Sequence, residues 1–533
     1  MKLNPLQKTI KFLYLSTVYF ISSCAFNLNV YFARALIYFF VILRPRDNFL
    51  KDIRFIMNLS KKVTWPLLYY KGLVTKIHDA SIVTFFEAKK VENFETFKIV
   101  ADRTVDFNLI QTDYGKLMWR KAFEQGHNFL EKFIKYAENR FPKKRISILT
   151  IVPIAQIANS YVKIKDKKEF SFKEPKIIQK IKSERVERRV FIPEQFFALI
   201  EDVEITKGFQ LRKENYLIHY EDSADLKTEN VAGLRHHFSY VGTSADNNDV
   251  CIYIEESSGK VPVYIDEAIL ISSRATENYF HWLIEYLPRL KNVPEHFPSD
   301  IPILVKDNLP AQFYEALNIL AKDRPVLKID PFCNKIYAKK IWVPSFHTYH
   351  PEKFDIPFYH GGAISIEHLN FVRESTLREV EGLEKPERQV LEKIYLDRIG
   401  SRSITNNDEV RKILFKFGIV SVYPETLSFY QQVQLFKNAK IIIGPAGAAF
   451  SNMIFCRDAK VIALIAQRNE NYVLQCNISE FAGADFYHFT GVTDEPRESF
   501  IDEESYVHAS FSINIEELKM ALKQVLKLSE TNL

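Results

Sequence analysis

Four short segments carry residues whose types and spacing suit chemistry, and each follows an apolar run. In Asn278-Tyr279-Phe280-His281-Trp282-Leu283-Ile284-Glu285-Tyr286-Leu287-Pro288-Arg289-Leu290, Asn278 reads as a helix N-cap and Pro288 disturbs the helix beyond it. His281 and Glu285 then sit four apart on one helical face. An imidazole beside a carboxylate can take a proton near neutrality, the work of a general base, although the same spacing also serves a purely structural helix pair. Phe280, Trp282 and Leu283 read as core.

The second segment, Asp397-Arg398-Ile399-Gly400-Ser401-Arg402, follows the apolar run Ile394–Leu396. Two guanidiniums there suit bidentate recognition of phosphate, or are simply solvated charge. In the third, Pro424-Glu425-Thr426-Leu427-Ser428 precedes a helix over 426–439. Glu425 either accepts hydrogen bonds from a ribose or base or favours the helix N-terminus by its charge. In the fourth, Lys440-Ile441-Ile442-Ile443 breaks into Gly444-Pro445-Ala446-Gly447-Ala448-Ala449-Phe450-Ser451-Asn452, a glycine turn that opens a helix. Glycines permit close backbone approach, and free N–H groups at a helix start attract phosphate; a tight turn of small residues packed for its own sake has the same composition. The pattern is neither G-x-G-x-x-G nor G-x-x-x-x-G-K-[ST], which excludes the dinucleotide fingerprint and the P-loop.

What is missing narrows the chemistry further. No D-x-D, H-E-x-x-H, G-x-S-x-G or EF-hand pattern occurs. His347 and His350 have metal-like spacing without a carboxylate or thiol motif nearby and read as loop residues, so no metal site is expected. The cysteines (Cys24, Cys251, Cys333, Cys456, Cys476) are odd in number and scattered, which argues against a disulfide framework or zinc site and for a reducing compartment.

These segments need elements to position them. A chain of 533 residues, 47% hydrophobic and 26% charged, is globular and long enough for several domains. Its net charge is +6, and residues 1–60 account for all of it: Lys2, Lys8, Lys11, Arg34, Arg44, Arg46, Lys51 and Arg54 against Asp47 and Asp52. That distribution points away from nucleic acid and toward an anionic membrane surface. The uncharged stretch Phe12–Ala33 is long enough to span a bilayer. Ser16, Thr17, Ser22, Ser23, Asn27 and Asn29 dilute it, so an interfacial helix or buried core helices compete with a span. Ile21-Ser22-Ser23-Cys24 also resembles a lipoprotein cleavage box, the one support for a lipid-anchored surface protein.

Residues 60–160 read as amphipathic helices, among them Leu117–Phe123 and Phe129–Ile134, and the mixed-charge stretch Lys163–Arg189 as a solvated linker or edge. Residues 190–272 carry short β-branched runs that read as strands. Beyond 272, apolar strands alternate with helix-length segments, the signature of a doubly wound parallel α/β sheet, which binds ligands at the carboxyl ends of its strands. The expected divisions are a basic apolar segment 1–60, a helical extension and linker 61–190, an α/β domain 191–385 and a Rossmann-like domain 386–533.

In their order along the chain, the segments resemble glycosyltransferase family 61. The likeness rests on N-[YF]-[YF]-H-W-L-x-[DE]-x-L-P-R-L from Asn278, R-x-x-x-R from Arg398, P-E-x-L-S-x-x-x-Q from Pro424 and I-x-G-x-x-G-A-x-x-x-N-x-x-F from Ile442. It implies a GT-B-like fold of two Rossmann-like domains facing a cleft, an inverting reaction and no required metal or cofactor. It implies a nucleotide-sugar donor and a glycan or lipid-linked glycan acceptor, as in bacterial capsular polysaccharide synthesis at the cytoplasmic face of the inner membrane. By motif, His281, Trp282 and Glu285 fall in the His-Trp segment, with His281 and Glu285 as catalytic candidates. Arg398, Arg402, Glu425, Ser428, Gln432, Gly444, Gly447, Ala448 and Asn452 are the nucleotide-side candidates. The sequence departs from the pattern at Ala446 (often His), Gln431 (often Glu) and Ala463 (often a Glu ending the next strand). Those three support an alternative, a non-catalytic polysaccharide-assembly or scaffold protein that keeps the fold.

Overall fold

Among the described residues, runs of β-branched and aromatic residues build two large sheets and one two-stranded sheet, with helices supplied by the segments between them. The computed structural model describes residues 127–140, 144–180, 185–220, 240–242, 250–256, 261–331, 334–348, 362–382, 390–398, 403–493 and 508–526. All of them lie in one unit, Trp119–Pro496 with Asp502–Leu533. The segment 1–60 with its expected membrane contact, the helix expected at Leu117–Phe123, Cys24, Cys333, His350 and Arg402 lie outside the described residues. Among the described residues no helix is long and apolar enough to cross a membrane.

In chain order the strands are β1 (Lys144–Pro153), β2 (Ser160–Lys165), β3 (Lys168–Lys173), β4 (Lys176–Ile177), β5 (Glu187–Ile192), β6 (Gln195–Thr206), β7 (Gln210–Lys213), β8 (Tyr216–His219), β9 (Tyr240–Gly242) and β10 (Val250–Glu256). Then come β11 (Val261–Leu270), β12 (Ile303–Lys306), β13 (Val326–Ile329), β14 (Asn334–Pro344), β15 (Lys393–Leu396), β16 (Val420–Val422), β17 (Ile441–Pro445), β18 (Lys460–Ala466) and β19 (Asp485–Gly491). The helices that matter here are α1 (His127–Arg140), α2 (Ala311–Ala321), α3 (Ile366–Glu381), α4 (Asn407–Lys416), α5 (Phe429–Asn438), α6 (Leu474–Ala482) and α7 (Ile515–Leu526).

The first sheet runs β13-β12-β11-β14-β6-β7-β8-β1-β10-β9, with β2 also paired to β6. Its strands β13, β12, β11 and β14 are parallel, whereas β14–β6, β6–β7 and β7–β8 are antiparallel. This corrects the expectation of two doubly wound Rossmann-like domains: the first sheet is mixed. The reason is local, because β6 and β7 are joined only by Lys207–Phe209, with positive φ at Gly208 and Phe209, and β7 and β8 by Glu214 and Asn215. Connections that short return a strand antiparallel; a parallel return needs a long crossover.

The described residues of 144–192, expected as the end of a helical extension and a solvated linker or edge, form strands β1–β5 with short helical turns at Ile154–Ile157 and Ile178–Lys180. Charge masks a period of two there. Phe170 and Phe172 of β3 and Val190 and Ile192 of β5 pack with Ala363 and Val473, while at alternate positions Arg189 pairs with Glu169 at 3.7 Å. Strand β4 then joins the second sheet beside β19.

The second sheet, β16-β15-β17-β18-β19-β4, is parallel throughout. Alternate side chains go to opposite faces, as β geometry requires. Ile442, Val461, Ala463 and Phe486 enter the core that holds α5 and α6 residues, and Ile443, Ile462, Leu464 and Phe489 enter the one that holds α4 and α7 residues. The doubly wound expectation is met in this sheet. The first of those cores is continuous with Leu283 and Leu287 and with Leu317 of α2 and Val372 of α3, so both sheets share it. Each fully buried side chain of that size contributes about 1.5–3 kcal/mol.

Chain order reverses at β15: the path goes outward to β16, then returns to place β17 on the other side of β15. That makes the carboxyl ends of β15 and β17 the topological switch point, where open α/β sheets bind ligands.

Candidate active site

Asp397-Arg398 follows β15, and Ala446-Gly447 follows β17. Gly444 lets the two strands close on each other: a β-carbon there would lie 2.7 Å from the Leu396 carbonyl oxygen. At Gly447 a β-carbon would lie 3.0 Å from Arg398 Nη1, so the guanidinium rests on the glycine turn. Its backbone is fixed from below by the buried Asp397, whose carboxylate accepts from the Arg398 amide (2.8 Å), Asn407 Nδ2 (3.0 Å) and Arg411 Nε (2.5 Å). Burial pushes the Asp397 carboxyl up, but those hydrogen bonds outweigh it and hold it below its ordinary range.

Beyond Gly447 the expected helix is a 3-10 helix, Ala448–Phe455. The Gly447 carbonyl accepts from the Phe450 amide at 3.1 Å and from Gln475 Nε2 at 3.0 Å. Asn452, fully buried, donates through Nδ2 to Gln432 Oε1 at 2.8 Å and accepts at Oδ1 from the Tyr279 hydroxyl, also at 2.8 Å. Gln432 Nε2 donates in turn to the Leu427 carbonyl at 3.2 Å. Asn452 and Gln432 therefore form a strut between the glycine segment, α5 and the His-Trp segment. Burial pushes the Tyr279 phenol up, so it stays a donor.

Ser428 is the N-cap of α5, and with Gln431 it completes a capping box. Either a Gln or a Glu at that third position closes the box, so the departure at Gln431 leaves the cap intact. Glu315 Oε2 accepts from the Phe429 amide at 2.6 Å at the same helix end. Glu425 lies exposed in the turn after β16. Ala463 sits buried inside β18, which runs on to Ala466, rather than at a strand end. Of the nucleotide-side candidates, Arg398, Gly444, Gly447 and Ala448 thus converge at the switch point, and Ser428, Gln432 and Asn452 are committed to holding the elements around it.

Asn278 caps as expected, its Oδ1 accepting from the Phe280 amide at 2.9 Å. The helix that follows is not regular: His281–Tyr286 is π-helical and Leu287–Leu290 is 3-10. Pro288 has no amide to continue the ladder, and such wide turns recur at functional sites. His281 Nδ1 and Glu285 Oε2 are 2.6 Å apart, each residue 3% exposed. A carboxylate oxygen accepting at this contact does so from the Nδ1 proton of the ring, the tautomer whose lone pair is on Nε2.

Sequence reading missed Arg289. It is fully buried, donates to the carbonyls of Leu270, Ile271 and Pro344, and lies 4.5 Å from the Phe346 ring centre, tying the ends of β11 and β14 beneath the His281 turn. Its signal was the conjunction of an arginine with an otherwise apolar segment. Trp282 Nε1 donates to the Phe313 carbonyl at 3.0 Å and Thr348 to that of Ile284 at 3.2 Å, fixing the same turn. His347 lies in a loop, as expected, and is buried there with its ring centre 3.6 Å from that of His368. Among the described residues no three His, Cys, Asp or Glu side chains gather as metal ligands. Cys456 and Cys476 are buried free thiols pushed up to about 12 by burial, hence unreactive.

A comparison with curated proteins finds no match to this chain. Residues 279–463, which run from Tyr279 through His281, Glu285, Arg398 and Gly447 to Ala463, match the family model Glycosyltransferase 61. The chain therefore carries a glycosyltransferase 61 domain at residues 279–463 and is a glycosyltransferase.

Proposed function

We propose that the chain is an inverting transferase that moves a sugar from a nucleotide-sugar donor to a glycan or lipid-linked glycan acceptor without a metal ion. The observation that carries this reading is the guanidinium of Arg398 resting on the Gly447 turn at the switch point of a parallel sheet. The donor diphosphate lies there, against Arg398 and the first amides of the 3-10 helix, which stabilise the charge on the departing phosphate.

In a single displacement the acceptor oxygen bonds to the anomeric carbon as the bond from that carbon to the phosphate oxygen breaks. The electron pair leaves with the diphosphate. The hydroxyl proton passes to Nε2 of His281, and Glu285 orients the ring and stabilises the imidazolium. Tyr279, two residues before His281, is bonded to Asn452 on the helix that begins at Ala448, which couples base and donor turn. The basic, apolar residues 1–60 support attachment at the cytoplasmic face of a bacterial inner membrane, where surface polysaccharide of the capsular kind is made.

Release of free nucleotide from a panel of UDP-, GDP- and CMP-sugars in EDTA tests the reading. Turnover with one donor class supports it. Turnover that vanishes in EDTA and returns with Mg²⁺ or Mn²⁺ contradicts the metal-free mechanism.

A further inference from the structure

Helix α6 lies beyond the matched residues 279–463, yet it reaches the glycine turn. Gln475 on α6 is 4% exposed; its Nε2 donates to the Gly447 carbonyl at 3.0 Å, and its Oε1 is buried without a hydrogen-bond partner. Asn477, two residues on, repeats the pattern: Nδ2 donates to the Gly362 carbonyl, and Oδ1 is buried with no partner. A buried acceptor left unsatisfied costs stability, so packing alone favours an apolar side chain at Gln475. What the amide gains in exchange is a grip on one peptide of the turn.

That peptide matters because it is planar and trans, so its carbonyl and the following N–H point in opposite directions. With the Gly447 oxygen held toward α6 by Gln475 and shared with the Phe450 amide, the Ala448 N–H is aimed away from α6. Gly447 is in an extended conformation, with φ −177° and ψ −177°, and it has no side chain of its own to restrain it. Arg398 rests on the same residue.

We infer that Gln475 is a positioning residue of the donor site, holding the Gly447–Ala448 peptide so that the Ala448 N–H and the Arg398 guanidinium meet the same diphosphate. The inference rests on the proposed function above. A hydrogen bond that only stabilised the fold would show in the melting temperature; one that aims the turn shows in donor affinity.

The test titrates uridine and guanosine diphosphate into the full chain, Arg398→Ala, Gln475→Leu and Gln475→Glu, with melting temperatures and donor kinetics alongside. Gln475→Leu removes the grip and the unsatisfied oxygen together, so the melting temperature should hold or rise while affinity falls about tenfold and donor KM rises with kcat nearly kept. Gln475→Glu loses the donor and adds a negative charge, so it should bind more weakly still. Wild-type affinity and KM in both Gln475 variants, with Arg398→Ala weakened, would overturn the inference and leave the proposed function standing. Unchanged affinity in Arg398→Ala as well, or no diphosphate binding by the unaltered chain, would overturn both.

Discussion

The guanidinium of Arg398 and the backbone of Gly447 are in contact across the carboxyl ends of β15 and β17, with 3.0 Å between Nη1 and the place a β-carbon would take. Arg398→Ala should weaken nucleoside diphosphate binding by about 1.5–3 kcal/mol, the scale of a charged hydrogen bond. Gly447→Ala presses on the end of that side chain and meets the Pro445 carbonyl oxygen only at an ordinary 3.8 Å, so the protein should fold normally and lose part of the same affinity. Calorimetry checks both, and wild-type binding in both variants would remove the phosphate from this turn.

Gly444 is predicted to behave differently. A β-carbon there meets the Leu396 backbone oxygen at 2.7 Å, which cannot swing aside as an arginine can. Gly444→Ala should lower stability by about 1–3 kcal/mol, as overpacking does. Denaturant unfolding beside Gly447→Ala decides it, and equal midpoints would refute the distinction.

Strands β15–β19 of the second sheet were legible in the sequence because their apolar runs are separated by helix-length segments, so strand, crossover and ligand edge follow from periodicity; β4, two residues in a charged stretch, was not. The first sheet was less so: its meander depends on turns at Gly208–Phe209 and Glu214, where non-glycine residues also take positive φ. Strands β3 and β5 hid under charge that pairs on the face opposite their apolar residues, as Arg189 does with Glu169. Chemical type marked His281, Glu285, Arg398 and Gly447 as candidates, but it could not separate a ligand contact from a strut. Gln432 and Asn452 look alike in sequence, and only their bonds to each other and to Tyr279 reveal their positions. Gln475 carried no signal, since amides such as Gln475 and Asn477 in a helix are ordinary and their burial shows only in the fold.

His281→Ala and Glu285→Gln should lower kcat by about 10²–10⁴-fold while leaving diphosphate affinity nearly intact, because base and donor turn are separate groups. The steady-state rate of folded protein, confirmed by an unchanged unfolding profile, is the measurement. If the pair only braces the helix, activity will fall no further than the folded fraction.

Stability should fall in mild acid. Burial pushes His488 down to about 4 and His368 to about 3, and holds His347 well below its ordinary value; Lys291 and Lys165 add to this for the stacked pair, with Glu367 opposing at His368. An unfolded histidine titrates near 6.5, so below that pH the unfolded chain binds protons that the folded one refuses. The stability present above about pH 6.5 is lost as pH drops toward the folded values, by up to about 1.4 kcal/mol per unit for each histidine. Unfolding at pH 7.5 and 5.5 tests this, and His488→Gln should flatten the slope. Equal stability at the two pH values would show that these rings are not buried neutral.

The most direct test of the account is the position of a nucleoside diphosphate in crystals of the full chain. The diphosphate should lie within hydrogen-bond distance of the Arg398 guanidinium and the Ala448 amide, outside the ends of β15 and β17. Density for the diphosphate anywhere else on the molecule, with Arg398 and the Gly447 turn left untouched, would contradict the assignment of the donor site.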